Sequence, residues 1–134
     1  MGKGKAAAQC CHATLSAYKQ ARRKCPEALR AWECNGQPKV TVKCDNEDDL
    51  MLLLTQARSL GLVSAVIADA GRTQIAPGSK TVLAVGPGPG EMVDQVILLG
   101  FVLISNPCFP GDRVSQAVLI SFKPTYCCDA VIIF

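Results

Sequence analysis

At 134 residues, 49% hydrophobic and with a formal net charge of +3, the chain has room for one compact α/β domain with a real core, and no second folded unit is expected. The charge is uneven: Lys3, Lys5, Lys19, Arg22, Arg23, Lys24 and Arg30 face only Glu27 near the start, whereas Asp45, Glu47, Asp48 and Asp49 gather further on. A basic end of this kind suits phosphate, and a solvated helix face has the same composition. Eight cysteines raise the idea of a secreted disulfide scaffold. No signal peptide is visible, however, and the spacing of Cys10, Cys11, Cys25, Cys34 and Cys44 fits no zinc pattern, so reduced intracellular thiols are expected.

Ala6, Cys10, Ala13 and Ala17 recur at helical spacing, which predicts a helix over residues 5–24 with small residues on one face. Pro26 suits the first turn of a second, short helix that turns Leu29 and Trp32 inward, and Asn35-Gly36 supplies a left-handed stop. Val40, Val42 and Cys44 alternate with Thr41 and Lys43, the period of a strand over 39–44. Asp45 or Asn46 then caps a helix whose acidic first turn matches the positive end of its dipole. Its buried stripe is Leu50, Leu53, Leu54, Ala57 and Leu60, and Gly61 ends it.

Residues 63–68 and 81–85 read as strands flanking a turn-rich loop over 69–79. The stretch 86–90, Gly-Pro-Gly-Pro-Gly, reads as a rigid breaker, lacking the lysine and hydroxyl of a phosphate loop and the spacing of a dinucleotide fingerprint. Met92, Val93, Val96 and Ile97 restart a helical spacing. The expected order is ααβαββα, with one complete βαβ unit through the 47–60 helix and no strand before the first helix. The apolar run at 96–104 is about half of the roughly twenty residues that a bilayer-spanning helix needs, so no membrane span is predicted. From about residue 98 to 134 the sequence shows no convincing period, and no functional element is assigned there.

Among residues able to do chemistry, Lys3 and Lys5 sit in Gly-Lys-Gly-Lys just before a helix, where ammonium groups and free backbone N–H groups converge on an anion; a basic, flexible helix start is the alternative. Asp69 stands where a strand passes into a glycine-containing loop, the place for a catalytic carboxylate or for an Asx turn. Thr73 and Thr81 supply hydroxyls that are equally at home as caps or β formers. His12 lies three residues after Gln9, which predicts a shared helix surface. As the single histidine it is read as structural or as a substrate contact, and no metal is predicted.

Taken together, residues 1–13 (MGKGKAAAQCCHA), 36–39 (GQPK), 69–83 (DAGRTQIAPGSKTVL) and 86–89 (GPGP) resemble the archaeal and eukaryotic type of peptidyl-tRNA hydrolase, in the same order across about residues 1–97. The resemblance implies a three-layer α/β/α sandwich around a small mixed sheet, and hydrolysis of the ester that joins a peptide to the terminal ribose of tRNA, with no cofactor. It carries the catalytic roles to Lys5, Asp69, Thr73 and Thr81, and substrate contact to Lys3, Gln9, His12, Arg72 and Gln74. Residues 1–97 then form an incomplete hydrolase-like domain and 98–134 a divergent apolar tail. Family members carry a hydrophobic strand before the Gly-Lys-Gly-Lys motif, and eukaryotic ones often a membrane anchor further upstream. Neither precedes Met1, so a sheet missing that first strand is expected, with residues 117–120 or 130–133 as candidates to fill its place. Peptidyl-tRNA is the implied partner and the mitochondrion or cytoplasm the implied location. The alternatives are an impaired variant that binds protein partners in apoptosis signalling, or a non-functional splice product.

Overall fold

The computed structural model describes residues 2–68, 78–104 and 129–134, and the side chains of 2–68, 78–98 and 130–134. Its elements are α1 (Lys3–Lys24), α2 (Pro26–Cys34), β1 (Lys39–Val42), α3 (Glu47–Ser59), β2 (Ser64–Ala68), β3 (Lys80–Gly88), α4 (Gly90–Ile104) and β4 (Asp129–Ile133). The four strands form one mixed sheet in the order β1-β4-β3-β2. β4 runs parallel to β1 and antiparallel to β3, and β3 is antiparallel to β2.

Strand alternation sends successive side chains to opposite faces, and the core divides accordingly. Val82 and Ala84 of β3 pack with Ile132 of β4, with Ala13, Ala17 and Ala21 of α1, and with Leu29 and Trp32 of α2. Leu83, Val85, Val131 and Ile133 pack on the other face with Leu50, Leu53, Leu54 and Ala57 of α3 and Val93 and Val96 of α4. These are the three layers expected. Trp32 Nε1–H donates to the Pro38 carbonyl at 2.8 Å, which gives this buried indole its polar partner. Tyr18 donates to Glu33 at 2.7 Å and so ties α1 to α2.

Several local expectations change. α1 begins at Lys3 rather than residue 5: Ala6 N–H already donates to the Gly2 carbonyl at 3.0 Å, so Lys3 and Lys5 lie within the helix, not ahead of it. Gly4 costs the helix about 1 kcal/mol and does not break it. The left-handed stop of α2 falls at Gly36, φ +84°, and extends to Gln37, φ +55°. Asn46 precedes α3 without a side-chain cap; its amide donates to Asp49 instead, at 3.0 Å. β1 and β2 run in the same direction but stand at opposite edges, so α3 crosses the whole sheet rather than joining neighbouring strands.

The stretch expected to break the chain after residue 85 is instead strand: β3 continues through Gly86 and Pro87 to Gly88, which pairs with Asp129 after a shift in register. Such an irregularity is where a sheet tolerates proline and a positive-φ glycine, and Gly86 has φ +96°. At Gly88 a Cβ would run into Leu62 Cδ2, so this position takes the backbone closer to its neighbour than any side chain allows.

The gap expected inside the sheet is occupied. β4 lies between β1 and β3, with Val131, Ile132 and Ile133 at 2%, 6% and 2% exposure, serving both cores. Phe134 N–H donates to the Val42 carbonyl at 3.0 Å, which prolongs the parallel ladder. Of the two segments considered for this place, 130–133 takes it; 117–120 lies outside the described residues. Among the described residues no helix is long and apolar enough to cross a membrane.

Candidate functional site at one end of the sheet

The sheet-facing stripe of α1 is apolar over most of its length, as Ala21, Ala17 and Ala13, and then changes character. Two further steps of four residues reach Gln9 and Lys5, both half-buried. Stepping by four keeps side chains on one helix face, so the same geometry that seats the alanines turns an amide and an ammonium inward. Lys3 and His12 are exposed. The shared surface expected for Gln9 and His12 therefore divides: three residues of helix rotate His12 away from the stripe into solvent. Among the described residues no group of three or more His, Cys, Asp or Glu is placed to hold a metal.

Gln9 Oε1 is buried and, among the described residues, accepts no hydrogen bond. An unmet buried carbonyl costs roughly 1–3 kcal/mol, so it marks a place where a donor belongs. Next to it, burial pushes the Cys10 thiol above its ordinary pKa, with the neighbouring Cys11 adding to the shift.

Thr81 owes its position to an irregularity that periodicity could not reveal. Ile67 pairs with Val82 and Ala68 with Lys80, which leaves Thr81 as the extra residue of a β-bulge. Strict alternation would set Thr81 beside Leu83 and Val85; a bulge releases a residue from that pattern and re-aims its side chain. Its hydroxyl donates to the Ile67 carbonyl at 3.2 Å. With the proton committed there, the Thr81 oxygen keeps its lone pairs for a donor such as water or an ammonium. Asp69, Arg72, Thr73 and Gln74 lie outside the described residues. Asp69 is the next residue in the chain after Ala68, where β2 ends beside the start of β3.

The basic residues spread over the outer face of the same layer. Lys19, Arg22, Arg23, Lys24 and Arg30 are exposed, and three of them form the last turn of α1, where cations complement the helix dipole. At the start of β1, the Lys39 ammonium lies 4.8 Å from the centre of the Trp32 ring.

The structure is thus an α/β/α domain with lysine and glutamine on the inner stripe of its first helix and a bulged threonine opening an inner strand. The family model described as peptidyl-tRNA hydrolase PTH2 matches residues 1–98. The mouse protein named peptidyl-tRNA hydrolase 2, mitochondrial, is 62% identical over 96 residues, 72% of this chain and 53% of its own length. The human protein of that name is 60% identical over 96 residues, covering 72% of this chain and 54% of its own. The peptidyl-tRNA hydrolase of Methanocaldococcus jannaschii is 45% identical over 96 residues, 72% of this chain and 84% of that protein. The chain belongs to the PTH2 family of peptidyl-tRNA hydrolases. It spans about half the length of the mammalian relatives it matches.

Proposed function

We propose that this chain hydrolyses the ester bond of peptidyl-tRNA, releasing the peptide and a tRNA free for reuse. The observation that carries the reading is the family match over residues 1–98, which contains every residue of the proposed constellation. Asp69 orients or deprotonates a water for attack on the ester carbonyl, and Lys5 stabilises the negative charge that develops on the carbonyl oxygen. Thr81, its own proton held by Ile67, accepts a hydrogen bond from that water or from Lys5. Thr73 positions water or substrate in the same way. Lys3, Gln9, His12, Arg72 and Gln74 contact the substrate, with the unmet Gln9 carbonyl taking a donor from it. Water alone balances the hydrolysis: its oxygen bonds to the carbonyl carbon, the ester bond to the ribose oxygen breaks, and the proton taken up by Asp69 passes to that departing oxygen.

The exposed cations of α1 and α2 hold the tRNA backbone, so binding weakens as salt rises in proportion to the phosphates neutralised. The mammalian relatives are named mitochondrial, which supports mitochondrial residence, with the cytoplasm as the alternative.

The test is release of an N-blocked aminoacyl group from tRNA by purified, soluble chain. Turnover in the parent that is lost in Lys5→Ala and Asp69→Asn supports the assignment. A folded Asp69→Asn variant working at the parent rate overturns the proposed base. Soluble parent protein that binds tRNA without turnover sinks the hydrolase reading and leaves a binding role, with partners in apoptosis signalling among those to be sought.

A further inference from the structure

The two edges of the sheet are finished differently. β1 carries exposed Lys39 and Thr41, with exposed Lys43 just beyond it. Charged side chains of this kind are how a protein blunts an edge against added strands. β2, at the opposite edge of the sheet that the described residues form, reads Ser-Ala-Val-Ile-Ala and has neither a charge nor a proline. Its exposure rises along its length, from Ser64 at 9% and Ala65 at 2% to half-buried Val66 and Ile67 and exposed Ala68.

Register shows which main-chain groups this edge offers. The Val63 carbonyl accepts from Gly86 N–H, so Val63 points inward to β3. The Ile67 carbonyl accepts from the Thr81 hydroxyl and also points inward. Alternation then turns the N–H and C=O groups of Val66 outward, with those of Ala68 following beyond the bulge. Among the described residues, no main-chain hydrogen bond outside the sheet ladders engages either one.

We infer that the Val66–Ala68 edge of β2 holds the peptide part of peptidyl-tRNA as an added strand. This rests on the hydrolase reading and says where the peptide lies. The edge ends at Ala68, beside the Thr81 bulge and immediately before Asp69 in sequence, so a peptide there delivers its last residue to the candidate site. The scissile ester belongs to the peptide's carboxyl-terminal residue; the peptide therefore runs parallel to β2, amino end toward Ser64 and ester toward Ala68. Recognition through main-chain groups is indifferent to side chains, and a hydrolase of peptidyl-tRNA meets peptides of every sequence. The exposed length of the edge accommodates two to three residues at about 3.3 Å each.

The experiment compares N-acetyl-alanyl-tRNA with N-acetyl-trialanyl-tRNA as substrates of the intact chain and of Val66→Pro. Proline at this position removes an outward N–H and leaves the inward ladder in place, a substitution that edge strands tolerate. The expected result is a KM about tenfold lower for the longer substrate at similar kcat, the scale of one or two net hydrogen bonds, with that advantage lost in Val66→Pro. A parent KM independent of peptide length, or a length advantage that survives Val66→Pro, overturns the inference. Amide exchange at Val66 and Ala68 in the presence of N-acetyl-trialanine amide decides the point without turnover: protection supports the edge site, and unchanged exchange overturns it. Protection without hydrolysis of either tRNA substrate refutes the hydrolase reading and leaves the peptide site standing. Should Val66→Pro fail to fold, trialanyl substrates N-methylated at one amide at a time replace it, with a rise in KM at alternate positions as the supporting outcome and a uniform KM as the opposing one.

Discussion

On one face of the sheet α1 makes its contact through alanines; on the other α3 makes its contact through leucines. α1 sets Ala13, Ala17 and Ala21 against β2 and β3, and the absence of bulk lets its backbone lie close to the strands. α3 uses Leu50, Leu53 and Leu54, which hold the helix by volume. The difference shows up where each stripe is extended. On the alanine face the next two positions are Gln9 and Lys5, both half-buried and polar. One face therefore carries polar side chains of the proposed constellation at the end of its stripe, and the other is packed by bulk.

The largest expected effect comes from Leu53→Ala on the leucine face. Truncating this side chain, 2% exposed, is expected to cost about 2–5 kcal/mol in urea unfolding, with kcat of the remaining folded protein unchanged. A cost below about 1 kcal/mol would mean that the leucine face is not the main support.

Ala13→Leu acts on the other face, at a position with 0% exposure. Overpacking is expected to cost about 1–3 kcal/mol and to lower kcat more than Leu53→Ala does, because it lifts the turns that carry Gln9 and Lys5. Equal kcat in the two variants would break the division of labour.

The smallest effect concerns pH. Burial raises the thiol pKa of Cys10 and Cys25, which pack against the alanine-face core, and of Cys44, which packs against the leucine-face core. A folded pKa above the unfolded one means stability that is fully present below the unfolded thiol value and lost as pH rises through the raised folded values. Melting temperature is expected to fall in that alkaline window, and Cys10→Ala with Cys25→Ala should flatten the fall. An unchanged slope in the double variant would show that these two thiols do not cause it.

Much of this architecture is readable from local pattern. The alanine and leucine stripes, Leu29 and Trp32 of α2, the alternation of β1 and the stop at Gly61 all follow from spacing alone. The path of β3 through Gly86-Pro87-Gly88 was not legible, because residues that break structure in isolation are accommodated here by an irregular ladder and a close approach to Leu62. The Thr81 bulge escaped for a related reason: an extra residue is defined by its partner strand, which periodicity does not contain. At the candidate site, the stripe read from spacing ran through Cys10 and Ala6, and the inward turn of Lys5 and Gln9 emerges only from the way Ala13, Ala17 and Ala21 seat the helix; the roles given to Asp69, Thr73, Arg72 and Gln74 came from family resemblance. β4 was one of two segments named for its place, and no local signal selects a register that depends on β1 and β3, far away in the chain.

That position gives β4 a consequence in time. The strand at the centre of the sheet is synthesised after every other described element, so β1 and β3 emerge from the ribosome as strands whose shared neighbour does not yet exist. N-terminal segments ordinarily begin to fold as they appear. Here α1 and α3 have no complete sheet to rest on until residues 129–133 arrive, and the chain spends its synthesis with two apolar faces waiting for one late strand.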